Sequence, residues 1–196
     1  MIQLPLERQY LVPAAVMSLL LVFFYLLPAN LHEALSYQRE LIAEGQWWRI
    51  MTGQLLHFEW RHLLLNVAGI WVMFLLFAEH APAWRYAYVV IALTVLTGIG
   101  VYWLAPELQY YVGFSGVLYA IFAWGACHDI RQRIKLGYLL LFGLVLKVSW
   151  EQFFGPLGNQ AATESLAVAA HFYGVLSGIT VALIQISVAS QQRKHH

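Results

Sequence analysis

Long apolar runs with few charged residues are the feature that most constrains this chain. Six such segments stand out, at about residues 10–27, 62–78, 84–104, 114–127, 136–153 and 164–188. A helix needs about 20 apolar residues, with a range of roughly 17–25, to span a bilayer. In addition, 61% of the residues are hydrophobic and only 11% are charged, so the sequence predicts an all-α integral membrane protein with six transmembrane helices.

The chain is expected to form one membrane domain over residues 1–196, surrounded by lipid. A net charge of +1 gives no reason to expect a nucleic-acid partner. Cys127 is the only cysteine and is interpreted as a small buried hydrophobe. No disulfide, metal or cofactor is therefore expected.

The fourth segment is too short to cross a bilayer unaided. Its 14 residues, 114–127, rise only about 21 Å, some 9 Å less than a hydrocarbon core of roughly 30 Å. One end must lie below the membrane surface, and the preceding stretch, 105–113, is expected to dip inward. Non-helical backbone is tolerated at depth only if it is buried in protein or lines a wet cavity, so this segment is the first indication of a site.

Lysine and arginine residues indicate the orientation, because cytoplasmic loops are enriched in them. With the N-terminus inside, seven fall in cytoplasmic pieces (Arg8, Arg85, Arg131, Arg133, Lys135, Arg193, Lys194) and three fall outside (Arg39, Arg49, Arg61). Both termini are therefore expected in the cytoplasm. The long outer loop, 28–61, is expected to be partly embedded through its aromatic residues. His195 and His196 are interpreted as a tail.

A serine between glycines opens the short fourth helix, in the sequence Gly113-Phe114-Ser115-Gly116. Glycine allows a neighbouring backbone to approach, and the free N–H groups and dipole of a helix N-terminus favour an oxyanion. Ser115 is therefore a candidate nucleophile. The alternative is a packing role, since small residues are common at membrane helix interfaces.

His171 lies in the sixth segment, and an ionisable residue within a membrane is a functional hypothesis by default. Gly174 and Gly178 form a small-x-x-x-small face that His171 shares, so another helix is expected to approach closely there. The segment begins at its outer end seven residues before His171, so His171 is expected about 10 Å below that end. This depth is level with that expected for Ser115. We favour a catalytic pair over a structural histidine bonded to a backbone carbonyl.

His62 and Asn66 lie one turn apart at the outer end of the second segment. Both side chains donate hydrogen bonds, as an oxyanion hole requires. A capping histidine and an asparagine that links helices are the alternative, and these two residues alone do not decide between the roles.

These motifs together resemble the rhomboid family of intramembrane serine proteases. The resemblance covers most of the chain, through Trp48-Arg49, His57, His62, Asn66, Gly113–Gly116, Tyr119, Ala170–Gly174 and Gly178. It implies the six-helix rhomboid fold, a dyad of Ser115 and His171 without an aspartate, oxyanion binding by His62 and Asn66, and Tyr119 packed against the catalytic histidine. It also implies a bacterial inner-membrane location with a periplasmic active site, and a single-pass membrane protein substrate cut near the outer end of its helix.

The short chain and the segment Lys147–Gln152, followed by Phe-Phe-Gly-Pro, resemble the rhombosortase branch in particular. That resemblance implies a substrate with a C-terminal Gly-Gly motif, a hydrophobic helix and a basic end. Tyr119 departs from the pattern, because that branch often has a histidine there. A general rhomboid protease with other substrates is the alternative.

Charged and ionisable residues near the proposed site were considered next. No carboxylate is expected near His171, because Glu164 lies two turns away, which favours a dyad. Lys147 and Glu151, one turn apart in the fifth segment, are interpreted as a charge pair between helices; the alternative places Glu151 beside the path of the substrate. His57 is interpreted as a hydrogen-bonding loop residue.

Three rival classes are considered. A metalloprotease would need an H-E-x-x-H helix, which the sequence lacks. A transporter or binding protein would use the intramembrane polar residues, namely His62, His171, Lys147 and Glu151, but would not require Ser115 on a short helix. An inactive rhomboid-like binding protein usually lacks the dyad, which this sequence keeps.

Overall fold

The computed structural model describes residues 7–81, 84–155 and 162–192, with the side chains of 162–167 outside that description. The Glu164 side chain and residues 193–196, discussed above, therefore lie outside the described part. Within it, the α-helices and β-strands in chain order are α1 (Arg8–Tyr25), α2 (Ala29–Leu35), β1 (Tyr37–Gln38), α3 (Arg39–Ala43), α4 (Arg49–Thr52), α5 (Trp60–Phe77), α6 (Trp84–Leu104), β2 (Tyr110–Tyr111), α7 (Ser115–Arg131), α8 (Lys135–Phe154) and α9 (Ala162–Gln192). Short 3-10 helices follow α4 (Gly53–Leu55) and α5 (Ala78–His80). The described residues are therefore mostly helical, and they include one small pair of strands.

Five of the described helical segments are long and apolar enough to cross a membrane: Arg8–Tyr25, Trp60–His80, Trp84–Leu104, Lys135–Phe154 and Val168–Gln192. Large apolar side chains on their outer faces are exposed, including Tyr88 on α6 and Phe142 and Phe153 on α8. Long helices with exposed apolar side chains of this kind suit contact with lipid. The chain is therefore a multi-pass membrane protein.

Helix α7 differs from the prediction in its length. The apolar run ends at Cys127, whereas the helix continues to Arg131 and has 17 residues. The added turn is polar, and its groups have partners: Asp129 with His80 at 2.7 Å, and Arg131 with the carbonyl of Ile186 at 3.0 Å. Because those partners satisfy the polar side chains, the helix extends further than hydropathy alone indicates.

Helix α7 is the central element, since α5, α6, α8 and α9 all pack against it. Much of its surface is buried, including Val117, Ala120 and Trp124. Its neighbours therefore shield it from lipid, as the sequence predicted for a short helix. The residue that begins it, Ser115, consequently lies among other helices rather than on the lipid-facing surface.

The long loop before α5 is folded and is attached to the segment that precedes α7. Strands β1 and β2 pair antiparallel, with Tyr37 opposite Tyr111 and Gln38 opposite Tyr110. Within the loop, the buried guanidinium of Arg49 donates to the carbonyls of Glu33 and Ser36, both at 2.8 Å. These contacts hold the backbone that leads to Ser115.

Candidate active site

The turn before Ser115 is shaped by Gly113. Its φ of +131° is a conformation that L side chains rarely adopt, and a Cβ there would lie 2.6 Å from Cε1 of His62. The turn is anchored on both sides: the Gly113 N–H donates to the carbonyl of Gly53 at 3.2 Å, and the Tyr111 hydroxyl donates to the Gly113 carbonyl at 2.7 Å. Burial raises the pKa of Tyr111, so its hydroxyl keeps the proton that it donates.

Ser115 and His171 come together although 56 residues separate them in the sequence. Oγ of Ser115 lies 3.0 Å from Nε2 of His171, within the distance a general base needs to take a hydroxyl proton. The Tyr119 ring stacks on the imidazole, with ring centroids 4.1 Å apart and planes 8° from parallel. The amide groups of the first turn of α7 have no acceptor within the helix, so the serine stands beside backbone donors.

Glycines lie where α7 and α9 approach most closely. A Cβ at Gly174 would lie 2.1 Å from the carbonyl oxygen of Gly116, and one at Gly178 would lie 2.1 Å from that of Ala120. On the opposite helix, a Cβ at Gly116 would lie 3.0 Å from the carbonyl oxygen of Ala170. Any larger residue at Gly174 or Gly178 would push the two helices apart, and with them Ser115 and His171.

The expectation that no carboxylate lies near His171 is wrong. Oε2 of Glu151 lies 3.1 Å from Nδ1 of His171, and the Glu151 side chain is only 5% exposed. The sequence argument considered carboxylates on the same helix, whereas Glu151 reaches the imidazole from α8. A hydrogen bond from Gln152 to the carbonyl of Val168, at 3.2 Å, joins α8 to α9 at this level.

Lys147 and Glu151 form the charge pair expected from the sequence, with Nζ and Oε1 in contact. Lys147 also donates to the hydroxyl of Tyr119. The pair is therefore not an isolated feature of α8, because Glu151 contacts His171 directly and Lys147 contacts Tyr119, whose ring is stacked on His171.

His62 and Asn66 lie one turn apart in the first part of α5. The His62 ring faces Gly113, as the close approach to a Cβ there shows. Asn66 is buried, and its amide donates to the carbonyl of His62 at 3.0 Å. One of its two N–H bonds is thus used within α5, and the described residues show no acceptor for the other.

His57 is not the hydrogen-bonding residue that the sequence predicted. Its ring is fully buried, and neither ring nitrogen has a hydrogen-bond partner in the described part of the chain. The ring lies edge-on to His62, with centroids 4.9 Å apart. Burial lowers the pKa of His57 to about 3, so the ring is neutral near pH 7 and acts here as a packing group for His62.

The family model described as Rhomboid domain matches residues 44–188. The chain is also similar to a protein named "Putative rhomboid protease YdcA" from Bacillus subtilis (strain 168), with 31% identity over 81 residues. That match covers 41% of this chain and 41% of the relative, so the chain aligns with less than half of that protein's length. The family match includes all the residues grouped around Ser115: His62, Asn66, Gly113, Gly116, Tyr119, Lys147, Glu151, His171, Gly174 and Gly178.

Proposed function

Because the chain belongs to the rhomboid family, we propose that it is a serine endopeptidase that cuts single-pass membrane proteins within the bilayer, near the outer end of their transmembrane helix. The observation that carries this proposal is the 3.0 Å contact between Ser115 Oγ and His171 Nε2. A hydroxyl and a base at hydrogen-bonding distance, beside the free amides of a helix N-terminus, have the arrangement that acyl transfer requires.

The proposed reaction begins when His171 accepts the proton of Ser115. Oγ attacks the peptide carbonyl, and the Ser115 N–H, His62 and Asn66 stabilise the oxyanion. His171 then gives its proton to the leaving amine, and the C–N bond breaks. Water hydrolyses the resulting acyl-enzyme, again with His171 as the base.

We place six helices, namely the five apolar spans and the shorter α7, across a bacterial cytoplasmic membrane, with both termini in the cytoplasm and the site opening to the periplasmic side. The distribution of lysine and arginine residues supports this orientation. The five apolar spans, together with α7 in their centre, support the number of crossings. The whole chain then acts as one domain, and its substrate reaches the site laterally from the lipid.

We propose a C-terminal Gly-Gly sorting tail as the substrate motif, because of the resemblance to rhombosortases and because a helical peptide bond must unwind before it is attacked. Each glycine is about 0.8–1.0 kcal/mol less favourable in a helix than alanine. Two adjacent glycines at the outer end of the substrate helix therefore expose a peptide bond at low cost. Lysine or arginine at the cytoplasmic end fixes the helix in register with the site.

Replacing Gly-Gly by Leu-Leu in such a substrate is expected to reduce the cleavage rate roughly 20-fold. This figure takes the helix-propensity free energy of two glycines as the added cost of unwinding the helix before cleavage. The measurement is cleavage in liposomes, with mass spectrometry of the product termini to locate the cut. A matched substrate keeps Gly-Gly and has two residues near the cytoplasmic end of the same helix replaced by Leu-Leu, which leaves the helix length unchanged, and it should be cut normally. Equal cleavage of the Gly-Gly and Leu-Leu forms would make the protein a general rhomboid protease, and no cleavage of any membrane substrate would favour a transporter.

His62→Ala and Asn66→Ala are each expected to slow cleavage about 10²–10³-fold, as loss of one oxyanion donor does in other serine proteases. Single-turnover kinetics measure the chemical step directly. If neither variant changes that rate, the two residues are structural and oxyanion binding rests on backbone amides alone.

A further inference from the structure

The Glu151 carboxylate is shared between two partners, with one oxygen for each. Oε1 contacts the ammonium of Lys147, and Oε2 lies 3.1 Å from Nδ1 of His171. The carboxylate is almost completely buried. A buried carboxylate whose two oxygens are both engaged has little freedom to move.

The contact with Nδ1 determines which nitrogen of His171 carries the proton. A carboxylate accepts hydrogen bonds but does not donate them, so Nδ1 must be the protonated nitrogen. In the neutral imidazole, Nε2 is then the unprotonated nitrogen, and it faces the Ser115 hydroxyl at 3.0 Å. This is the tautomer that accepts the serine proton.

Lys147 connects this carboxylate to the aromatic ring that lies on the imidazole. Its ammonium donates to both Glu151 and the Tyr119 hydroxyl, and the Tyr119 ring is stacked on His171. The stacked Tyr119 ring thus keeps the imidazole from tilting out of its plane. The hydrogen bond to Glu151 keeps it from rotating within that plane. One lysine fixes both supports relative to each other.

The charge of the Glu151 carboxylate gives a second way in which it can assist His171. His171 gains a positive charge when it takes the serine proton, and the nearby Lys147 ammonium opposes that charge. The Glu151 carboxylate, which lies between the two cations, attracts both. In a poorly solvated site, charges at these separations interact much more strongly than in water.

We infer that Glu151 is a positioning residue for His171, so that Ser115, His171 and Glu151 work as a triad braced by Lys147 and Tyr119. The inference rests on the proposed function, since it assigns Glu151 a part in the same reaction. The proton moves from Ser115 Oγ to His171 Nε2 and then to the leaving amine, while the Nδ1 proton stays on the imidazole and remains hydrogen-bonded to Glu151.

The test compares Glu151→Gln, Glu151→Asp and the unchanged chain with a Gly-Gly substrate and with a fluorophosphonate probe. Glu151→Gln should lower kcat and the rate of labelling of Ser115 about 10²–10⁴-fold with KM unchanged, because an amide neither fixes the tautomer nor stabilises the imidazolium. Glu151→Asp keeps the charge and should retain more activity than Glu151→Gln.

Asp129→Asn is the matched control. It also removes a buried carboxylate paired with a histidine, His80, but it lies 14 positions after Ser115 in α7, about 21 Å along the helix. The kcat and the labelling rate of Asp129→Asn should stay within about twofold of the unchanged chain. A twofold change corresponds to only about 0.4 kcal/mol in activation free energy.

A second comparison separates positioning from folding. In a His171→Ala background, Glu151→Gln should cause no further loss of the residual rate, because residues that act as a unit are not additive. If Glu151→Gln is too unstable to purify, Glu151→Gln combined with Lys147→Met removes both charges and should show the same loss of kcat.

The inference is overturned if Glu151→Gln keeps kcat within twofold, if its effect persists without His171, or if the double variant regains full activity. Ser115→Ala distinguishes these outcomes from failure of the proposed function. If Ser115→Ala is inactive and Glu151→Gln is active, the protease assignment stands and only the role of Glu151 fails.

Discussion

Ser115→Ala is expected to abolish proteolysis and fluorophosphonate labelling while the protein remains folded and inserted in the membrane. Loss of the nucleophile costs about 10⁶-fold in kcat in a soluble serine protease, and a loss of that size would take cleavage below detection. The change removes one oxygen atom, whose contact is with His171 Nε2, and leaves the glycine contacts between α7 and α9 intact.

Ser177→Ala is the control for that experiment. Ser177 is also a buried serine, but its hydroxyl donates to the carbonyl of Tyr173 within α9 and takes no part in the Ser115 centre. The Ser177→Ala variant should cleave the substrate and should react with the fluorophosphonate probe. Turnover by Ser115→Ala at the rate of the unchanged chain would disprove the assignment of the nucleophile.

Gly174→Val is expected to inactivate the enzyme and to lower its thermal stability, although it changes no group that contacts substrate. The added Cβ would lie 2.1 Å from the carbonyl oxygen of Gly116, so α7 and α9 must separate. Overpacking of this kind costs about 1–3 kcal/mol or more, and a misplacement of about 1 Å at the reacting atoms costs about 10²-fold in rate.

The control is Gly143→Val, in the exposed part of α8, where a Cβ would meet no atom within 4 Å. It introduces the same side chain into a helix without a collision and should leave activity and the melting temperature nearly unchanged. Both variants are compared by cleavage rate and by thermal unfolding in detergent. A Gly174→Val variant with normal activity would show that this glycine does not set the distance between serine and histidine.

The sequence by itself determined the features that depend on local patterns. Hydropathy predicted an all-α membrane protein, because lipid requires long apolar helices that satisfy their own backbone. Small residues predicted the close approach of α7 and α9, because only glycine lets two helix backbones meet at Gly174 and Gly178. Ser115 and His171 were predicted as a catalytic pair in the same way, from polar residues placed beside such glycines in apolar segments, and the structure brings them within 3.0 Å of each other.

Only the tertiary structure decided which side chains meet across helices. Glu151 is 20 positions from His171 in the sequence, and its contact with the imidazole depends on how α8 is rotated and packed against α9, which no periodicity specifies. The polar last turn of α7 also depends on contacts between helices. Whether the helix extends that far depends on partners such as His80, which lies 49 positions from Asp129 in the sequence. Hydropathy and spacing describe one helix at a time, whereas a hydrogen bond between helices depends on the relative position of both.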